Sequence, residues 1–545
     1  MKPFYITTTL PYVNADPHVG FAVELIRADA IARAQALIGR EVFFNTGTDE
    51  HGAKLEKAAK AMDLSPQKYV DEKSQKFREL LPILGIDETA GITRNFIRTT
   101  DTHHIAAAQE FWKIVDKNGW IYKKNYSVKY CVGCELEKTE SELVDGRCPL
   151  HPNQEIEIIQ EENYFFKFSA FQKRLLDLYD GVGEFAGKPL RIVPENRKNE
   201  IRSFVSRGLE DFSISRLSSK MSWGIPVPGD STQVMYVWFD ALVDYISAIG
   251  WPEEKEEKIE GETESEATLR GEGDLRARRR SYEEFSSKKI SVLPNSLKSR
   301  SFETSFKKWW IDSGGVVQYC GKDNLRQQAA MWQAMLLAAN LPPSQTIVID
   351  GFVTGDGGIK MSKSLGNTID PFSVVSEYGT EALRYYALAE LHPFEDSPFT
   401  MEKFKSAYNA ALANGIGNLT SRIMKMATAN GISFDKKTAK EFAASNEMED
   451  LYKKQTTGFE NYNLQEAAQA VWSLIAGTDK IIQEREPFKK IKTDKIAAEK
   501  DIKELLIRLD MISTMLQPLL PETAKKIAAC IKENKMPETP LFMRK

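Results

Sequence analysis

A β-strand that breaks into a turn and then a helix opens this chain, and it commits the N-terminal region to a layered α/β fold. Phe4 to Leu10 is β-branched and aromatic, as a strand requires. Pro11, Asn14, Asp16 and Pro17 end it. From Val19 onward, apolar residues recur at three- and four-residue steps through Val23, Ile26, Ala30, Ile31 and Ala34, which predicts a helix. His18 and Gly20 therefore stand at a helix start, where free backbone N–H groups and the helix dipole favour an anion. Gly20 has no side chain, so an adenine or ribose can approach the backbone closely, and His18 can donate to a phosphate oxygen. A turn histidine without a ligand is the competing reading of His18 taken alone.

A second turn follows a second strand. Glu41 to Thr46 leads into Gly47-Thr48-Asp49-Glu50-His51-Gly52 and then a Lys/Ala-rich helix. The carboxyl end of a parallel strand is where open α/β sheets bind ligands. Asp49 can pair with a substrate ammonium there, although a helix N-cap by Asp49 or Thr48 explains the same residues. Far downstream, the glycine-rich run Thr354-Gly355-Asp356-Gly357-Gly358-Ile359 precedes Lys360-Met361-Ser362-Lys363-Ser364. Its two lysines can bracket a polyphosphate as point charges. With the His18 turn, they describe a triphosphate gripped from two sides, by a loop that closes when the nucleotide binds.

The chain has 545 residues, about three or four domains at roughly 150 residues each. A 42% apolar content is enough for globular cores, and a net charge of −4 excludes a global polycation, so any nucleic-acid contact must come from local basic faces. No apolar run of about 18 residues suggests a membrane span. The N-terminus lacks the apolar centre of a secretory signal, and the five cysteines do not make a disulfide framework. A cytoplasmic protein is expected.

Three of those cysteines cluster. Cys131-Val132-Gly133-Cys134 and Cys148-Pro149-Leu150-His151 each place two residues between potential ligands. Three thiolates and one imidazole suit a closed tetrahedral zinc site with no position left for water, hence a structural metal. Reduced cysteines without metal are the alternative. Tyr126 to Tyr130 and Asn163 to Phe168 read as strands flanking this small insert.

The run Thr7-Thr8-Thr9-Leu10-Pro11-Tyr12-Val13-Asn14 with His18-Val19-Gly20, then Gly47-Thr48-Asp49-Glu50-His51-Gly52, then the lysine loop, resembles the class I methionyl-tRNA synthetases, in their single-knuckle bacterial form. The likeness covers nearly the whole chain apart from one insertion. It implies an α/β fold: a Rossmann-like parallel sheet, an inserted zinc-knuckle connective domain, and an α-helical bundle. The expected boundaries are 1–115 and 211–350 for the sheet, 116–210 for the insert, 351–400 for the lysine-loop linker and 401–545 for the bundle.

The resemblance implies that methionine is activated with ATP and passed to tRNA(Met). His18, Gly20, Lys360 and Lys363 would be catalytic, and ATP would also meet Phe21, Asp323 and Ser362. Methionine would be held by Leu10, Tyr12, Asp49, Arg216, Trp238, Ala241, Tyr245, Gln328 and Trp332, with Arg216 pairing with Asp49 and Mg²⁺ accompanying ATP. Trp238, Ala241 and Tyr245 recur at three- and four-residue spacing and share a face if they lie on one helix, a pattern more often core than pocket. A polarisable thioether suits aromatic walls. Three positions depart from the family pattern, one being Asn324, where many relatives carry an apolar residue. Phe21 stands where many class I enzymes have a second histidine, and Gln328 replaces a histidine beside the thioether.

From Met401 the pattern is helical. Tyr408, Leu412, Ile416, Leu419 and Ile423 form one apolar stripe, Tyr462 to Ile482 a second, and Ile502 to Leu516 a third, a helix bundle by periodicity. By resemblance it reads the CAU anticodon through Asn409, Asn414, Arg422 and Phe488, and the knuckle sits above the tRNA acceptor end. No appended module follows, which favours a monomer. The charged stretch at 253–308 reads as a disordered surface loop with no catalytic role, its basic run Arg276 to Arg280 being a lesser candidate for touching tRNA. A class I synthetase for another amino acid and a non-catalytic tRNA-binding paralogue are the competing functions.

Overall fold

A computed structural model describes residues 1–134, 136–138, 140–253, 305–359, 361, 368–435, 442 and 445–545. Lys360, Ser362, Lys363 and most of the charged insertion at 253–308 lie outside the described residues.

The first half alternates strand and helix: β1 (Phe4–Thr8), α1 (Val19–Leu37), β2 (Val42–Thr48), α2 (Ala53–Ala61), α3 (Pro66–Ile83), β3 (Ile92–Arg98) and α4 (Thr102–Lys117). A second layer of chain follows: β4 (Ile121–Cys131), β5 (Leu136–Lys138), β6 (Glu157–Phe166), α5 (Gln172–Asp180), β7 (Arg191–Val193) and α6 (Glu195–Ser206). Short strands come next: β8 (Phe212–Ser213), β9 (Ser215–Leu217), β10 (Pro226–Val227) and β11 (Asp230–Met235). The helices α7 (Val237–Ala241) and α8 (Asp244–Ser247), then β12 (Val316–Gly321) and β13 (Thr346–Asp350), complete this half.

Six of these strands make one parallel sheet in the order β3-β2-β1-β12-β13-β7. Central parallel strands are covered on both faces, which is why β1, β2 and β13 are buried along their whole length. Phe4 and Ile6 face one apolar cluster with α1, and Tyr5 faces the other with α4 and the tryptophans Trp309 and Trp310. The strand order reverses between β1 and β12. Ligands of open α/β sheets bind at such a switch point, beyond the carboxyl ends of the strands.

The edge strand β7 falls inside the span expected to be the insert. It has three residues between Pro189 and cis-Pro194, too short for a period-2 signal, and it returns the chain to the sheet before residue 211. The insert proper is the long β4–β6 antiparallel pair, extended by β5 and β8. Residues 212–235, read as the return to the sheet, form the small antiparallel strands β8 to β11 instead. α7 and α8 are two short helices, so Trp238 and Ala241 lie on one and Tyr245 on the other.

Beyond β13, the helices Pro371–Tyr378 and Thr380–Tyr385 lead to a bundle built on Asn418–Ala429, Asn446–Glu460, Leu464–Arg485, Lys495–Leu516 and Pro521–Glu533. The three apolar stripes read from the sequence are buried in its core. Among the described residues, no helix is long and apolar enough to cross a membrane.

Candidate active site

His18 is the N-cap of α1. Its Nδ1 accepts from the Gly20 backbone N–H at 3.1 Å, which makes Nε2 the protonated nitrogen and hence a donor. A Cβ on Gly20 would stand 2.9 Å from the His18 ring, so the glycine makes room for its own neighbour's imidazole. The next amide, Val19 N–H, donates to Ile369 O at 2.9 Å, which brings the segment after the lysine loop to the start of α1. A cavity of about 420 Å³ opens here beside His18, Asp16, Lys76, Thr368 and Asp370. Phe21 is turned to α3 and packs edge-on against Phe77 with ring centroids 5.4 Å apart. This packing contact stands where a second histidine was expected from the family pattern.

Across the switch point, β12 ends at Gly321 and Asp323 is exposed on the turn that follows. Lys322 anchors that turn to Asp396 at 2.7 Å. Glu24 of α1 accepts from Thr9 N–H at 2.7 Å. Burial, with Asp350 and Asp323 nearby, pushes the Glu24 carboxyl up to about 8, so it is largely protonated at neutral pH.

Asp49 extends from the carboxyl end of β2 and pairs through its backbone with the Tyr12 segment. Asp49 N–H donates to Pro11 O at 3.0 Å, and Val13 N–H donates to Asp49 O at 3.3 Å. The capping alternative fails, because α2 starts after Gly52 with no side-chain cap and Thr48 hydrogen-bonds Glu50 and Ser74. Leu10 packs with Ile97 and Ala248. Arg216 is buried on β9, where Nη1 donates to Ser213 Oγ and Ser215 O, both at 2.7 Å. Its guanidinium lies 4.4 Å from the centroid of the Tyr236 ring.

Sequence reading missed the group that ties this turn to the helix beside it. Asp240 of α7 is fully buried and holds two imidazoles, His51 Nδ1 at 2.7 Å and His104 Nε2 at 2.8 Å. Burial disfavours its charge, but the two rings outweigh burial and hold its carboxyl below the usual range. His104 also meets Ser247 Oγ at 2.9 Å. The turn bearing Asp49, the α7 helix bearing Trp238 and Ala241, and α8 bearing Tyr245 are thereby fastened to one another. The histidines stand far apart in sequence from Asp240, and no spacing rule joins them. Trp332 is completely buried, 6.0 Å from Tyr245 between ring centroids. Gln328 donates to Tyr245 Oη at 2.5 Å and accepts from Gln318 at 2.6 Å.

In the insert, one ligand atom from each of Cys131, Cys134, Cys148 and His151 lies within 4.8 Å of the others. Cys134 Sγ is 3.4 Å from Cys148 Sγ and 3.2 Å from His151 Nδ1, and Cys131 Sγ is 3.7 Å from that nitrogen. Four soft or borderline donors converging at these separations fit one tetrahedral ion of the zinc type. A Cβ on Gly133 would fall 2.3 Å from the His151 ring, so only glycine lets the imidazole reach the thiols. Lys54 of α2 donates to Gly133 O at 2.6 Å, which ties the knuckle to the Tyr12–Asp49 corner.

Among the residues expected to read an anticodon, Phe488 is 45% exposed at the far end of the Leu464–Arg485 helix. Arg422 pairs with Asp479 of that helix. Asn414 is exposed beside a kink at Gly415. Asn409 is spent on the chain's last residue, donating to Lys545 O at 2.9 Å and accepting from Lys545 N at 3.0 Å.

Comparison with known proteins agrees with this architecture. The model of the class I tRNA synthetases (M) matches residues 4–155, 140–265 and 288–424, and that of the anticodon binding domain of methionyl tRNA ligase matches 434–540. The methionine–tRNA ligase of Thermosynechococcus vestitus is 37% identical over 97% of this chain and 90% of its own length. The chloroplastic/mitochondrial enzyme of Arabidopsis thaliana is 37% identical over 95% of this chain and 76% of its own. Mycobacterium tuberculosis methionyl-tRNA synthetase in complex with methionyl-adenylate superposes with a TM-score of 0.79 at 32% identity, covering 97% of this chain and 93% of that one. With its sheet, insert and bundle in the same order, this chain belongs to the methionyl-tRNA synthetases of class I.

Proposed function

We propose that the chain joins methionine to tRNA in two steps, with the methionine carboxylate as the first nucleophile. It attacks the α-phosphorus of ATP, the α–β phosphoanhydride bond breaks, pyrophosphate leaves, and methionyl adenylate forms. The terminal adenosine of tRNA(Met) then attacks the activated carbonyl and AMP departs. No enzyme nucleophile is required, so rate comes from positioning and from stabilising charge in the transition state.

The observation that carries this reading is the convergence of the His18 cap, the Asp323 turn and the Asp49 corner around one switch point. Under it, His18 Nε2–H meets the α-phosphate side and Gly20 lets the helix start close on the nucleotide. Asp323 takes the ribose hydroxyls. Lys360, Ser362 and Lys363 flank the β- and γ-phosphates, where Mg²⁺ bound with ATP would neutralise further charge. Asp49 holds the ammonium, and Arg216 would pair with Asp49. Leu10, Tyr12, Trp238, Ala241 and Tyr245 form the apolar walls, and Trp332 and Gln328 support them from behind.

Cys131, Cys134, Cys148 and His151 would hold a zinc ion that stiffens the insert, over which the tRNA acceptor end would pass. Asn409, Asn414, Arg422 and Phe488 would meet the CAU anticodon, Asn409 from a position that also holds the Lys545 backbone. For the domain plan we keep 1–115 and 211–350 as the sheet, assign 191–193 to it as well, and read 351–400 and 401–545 as linker and bundle. We read the working unit as a monomer. None of the five cysteines is in a disulfide, which suits a reducing, cytoplasmic compartment.

The test is methionine-dependent ATP–pyrophosphate exchange by the purified chain, alone and with Lys363→Ala. Wild type is expected to exchange with methionine and not with leucine or cysteine, and the variant to fall by about a hundredfold, the scale of losing one transition-state donor. Exchange driven by another amino acid would replace this assignment. An unchanged rate in the variant would remove the role given to the lysine loop.

A further inference from the structure

Behind the proposed thioether pocket runs a buried chain of side-chain hydrogen bonds whose direction is fixed by the backbone at one end. Gln333 Oε1 accepts from the Ser344 backbone N–H at 3.0 Å, and Gln333 Nε2 donates to the Gln328 backbone carbonyl at 2.8 Å. A backbone N–H only donates and a carbonyl only accepts, so this amide can stand only one way round. Its second N–H goes to Ser344 Oγ at 3.0 Å, and the serine hydroxyl passes its own proton to Gln318 Oε1 at 2.6 Å. Gln318 Nε2 donates to Gln328 Oε1 at 2.6 Å, and Gln328 Nε2 donates to Tyr245 Oη at 2.5 Å. Every link therefore donates in the same sense.

The chain is sealed from solvent: Gln333, Ser344, Gln318, Gln328 and Tyr245 are all buried, none more than 4% exposed. In such a place an amide flip would set acceptor against acceptor, with no water to relieve it. Tyr245 receives a hydrogen bond at its oxygen and keeps its own O–H, for which the described residues supply no acceptor. Burial, with Asp244 nearby, holds the phenol well above its ordinary value, so that proton stays on. A buried tyrosine O–H ordinarily finds a partner.

We propose that Gln318, Ser344 and Gln333 are positioning residues for amino-acid specificity, holding Gln328 so that Tyr245 presents its O–H to the sulfur of bound methionine. This rests on the methionine reading above. A thioether sulfur is a weak acceptor, and a methylene in its place is none. An analogue with that methylene leaves the donor buried and unpaired, a cost that discriminates against it. The three residues reach Tyr245 through Gln328 by hydrogen bonds, so the effect on specificity assigned to them runs through hydrogen-bond polarity.

The experiment compares methionine with norleucine, which replaces sulfur by CH₂, in ATP–pyrophosphate exchange by the full chain and its Ser344→Ala and Gln318→Leu variants. Ser344→Ala is expected to lower the methionine-to-norleucine ratio of kcat/KM by about three- to tenfold, the range of one hydrogen bond. The change should come through the KM for methionine, with the KM for ATP unmoved. Gln318→Leu should do the same or more. A merely structural role would depress both amino acids alike. If Ser344→Ala keeps the wild-type ratio, the proposal is overturned, whatever the folding of the second variant. Wild-type protein that does not use methionine at all would instead be a failure of the functional assignment.

Discussion

Single residues decide what the site can bind, and several could be read from their neighbours in the chain. His18 and Gly20 were legible because a strand, a broken turn and a helix leave only one place for an anion. The mutual fit of the two residues, imidazole folded over a bare Cα, needed coordinates. Glu24 was not legible as a special residue, since one acid on a helix has no local signal of burial. Its folded carboxyl is raised to about 8 by burial, Asp350 and Asp323. An unfolded glutamate ionises near 4.5, so between those values the unfolded chain carries a charge that the folded one resists. Stability associated with Glu24 is therefore greatest below about pH 4.5 and lost as pH rises through about 8. Glu24→Gln should remove that loss. The variant should match wild type at pH 5 and melt at a higher temperature than wild type at pH 8.5, as measured by calorimetry. An identical pH dependence in the two proteins would show that Glu24 is ionised in the folded state.

Elements were legible where their patterns were long. The β1–α1 unit, the three helical stripes and the paired strands of the insert follow directly from apolar periodicity. Short pieces were not. β7 has three residues and lies far in sequence from its sheet neighbour β13, and the break between α7 and α8 leaves the apolar spacing intact. The knuckle lies between these cases. Its candidate ligands were evident from spacing, but the reason for Gly133 is the approach of the His151 ring. Gly133→Ala should displace that ring and lower zinc affinity by at least about tenfold, the usual scale for disturbing a ligand's support. Zinc release to a chelator with a coloured product measures this. Because the ion is assigned no chemical step, methionine-dependent exchange should persist in the variant, and zinc retention equal to wild type would contradict the geometry drawn for the knuckle.

At the scale of the whole molecule, α1 is the beam on which the rest is mounted. Its first residue is capped by His18 at the proposed phosphate site. One turn further, Glu24 braces the end of β1. Arg27, almost fully buried, pairs with Asp350 and donates to the carbonyls of Ala387, Leu391 and His392 in the linker. Next, Asp29 is bonded by Arg33, Arg94 and Arg384 at 2.8, 2.6 and 2.7 Å. Burial opposes its charge, but Arg94, Arg384 and Arg33 outweigh burial and hold the carboxyl well below its ordinary value. Arg384 in turn donates to Leu519 O at 2.9 Å, so sheet, linker and bundle meet at one buried group of charges. The sequence contained each of these residues, but apart from the i,i+4 pair Asp29–Arg33 it gave no sign of their meeting, because Arg27 and Asp29 lie more than three hundred positions from Asp350 and Arg384. The same long-range convergence underlies the functional claim. A crystal structure of the protein with methionine and a non-hydrolysable ATP analogue tests it most directly. The account predicts the nucleotide across the carboxyl ends of β1 and β12, its phosphates at His18 and its ribose at Asp323, with the methionine ammonium on Asp49. A nucleotide bound elsewhere, or a methionine whose ammonium lies away from Asp49, would contradict it.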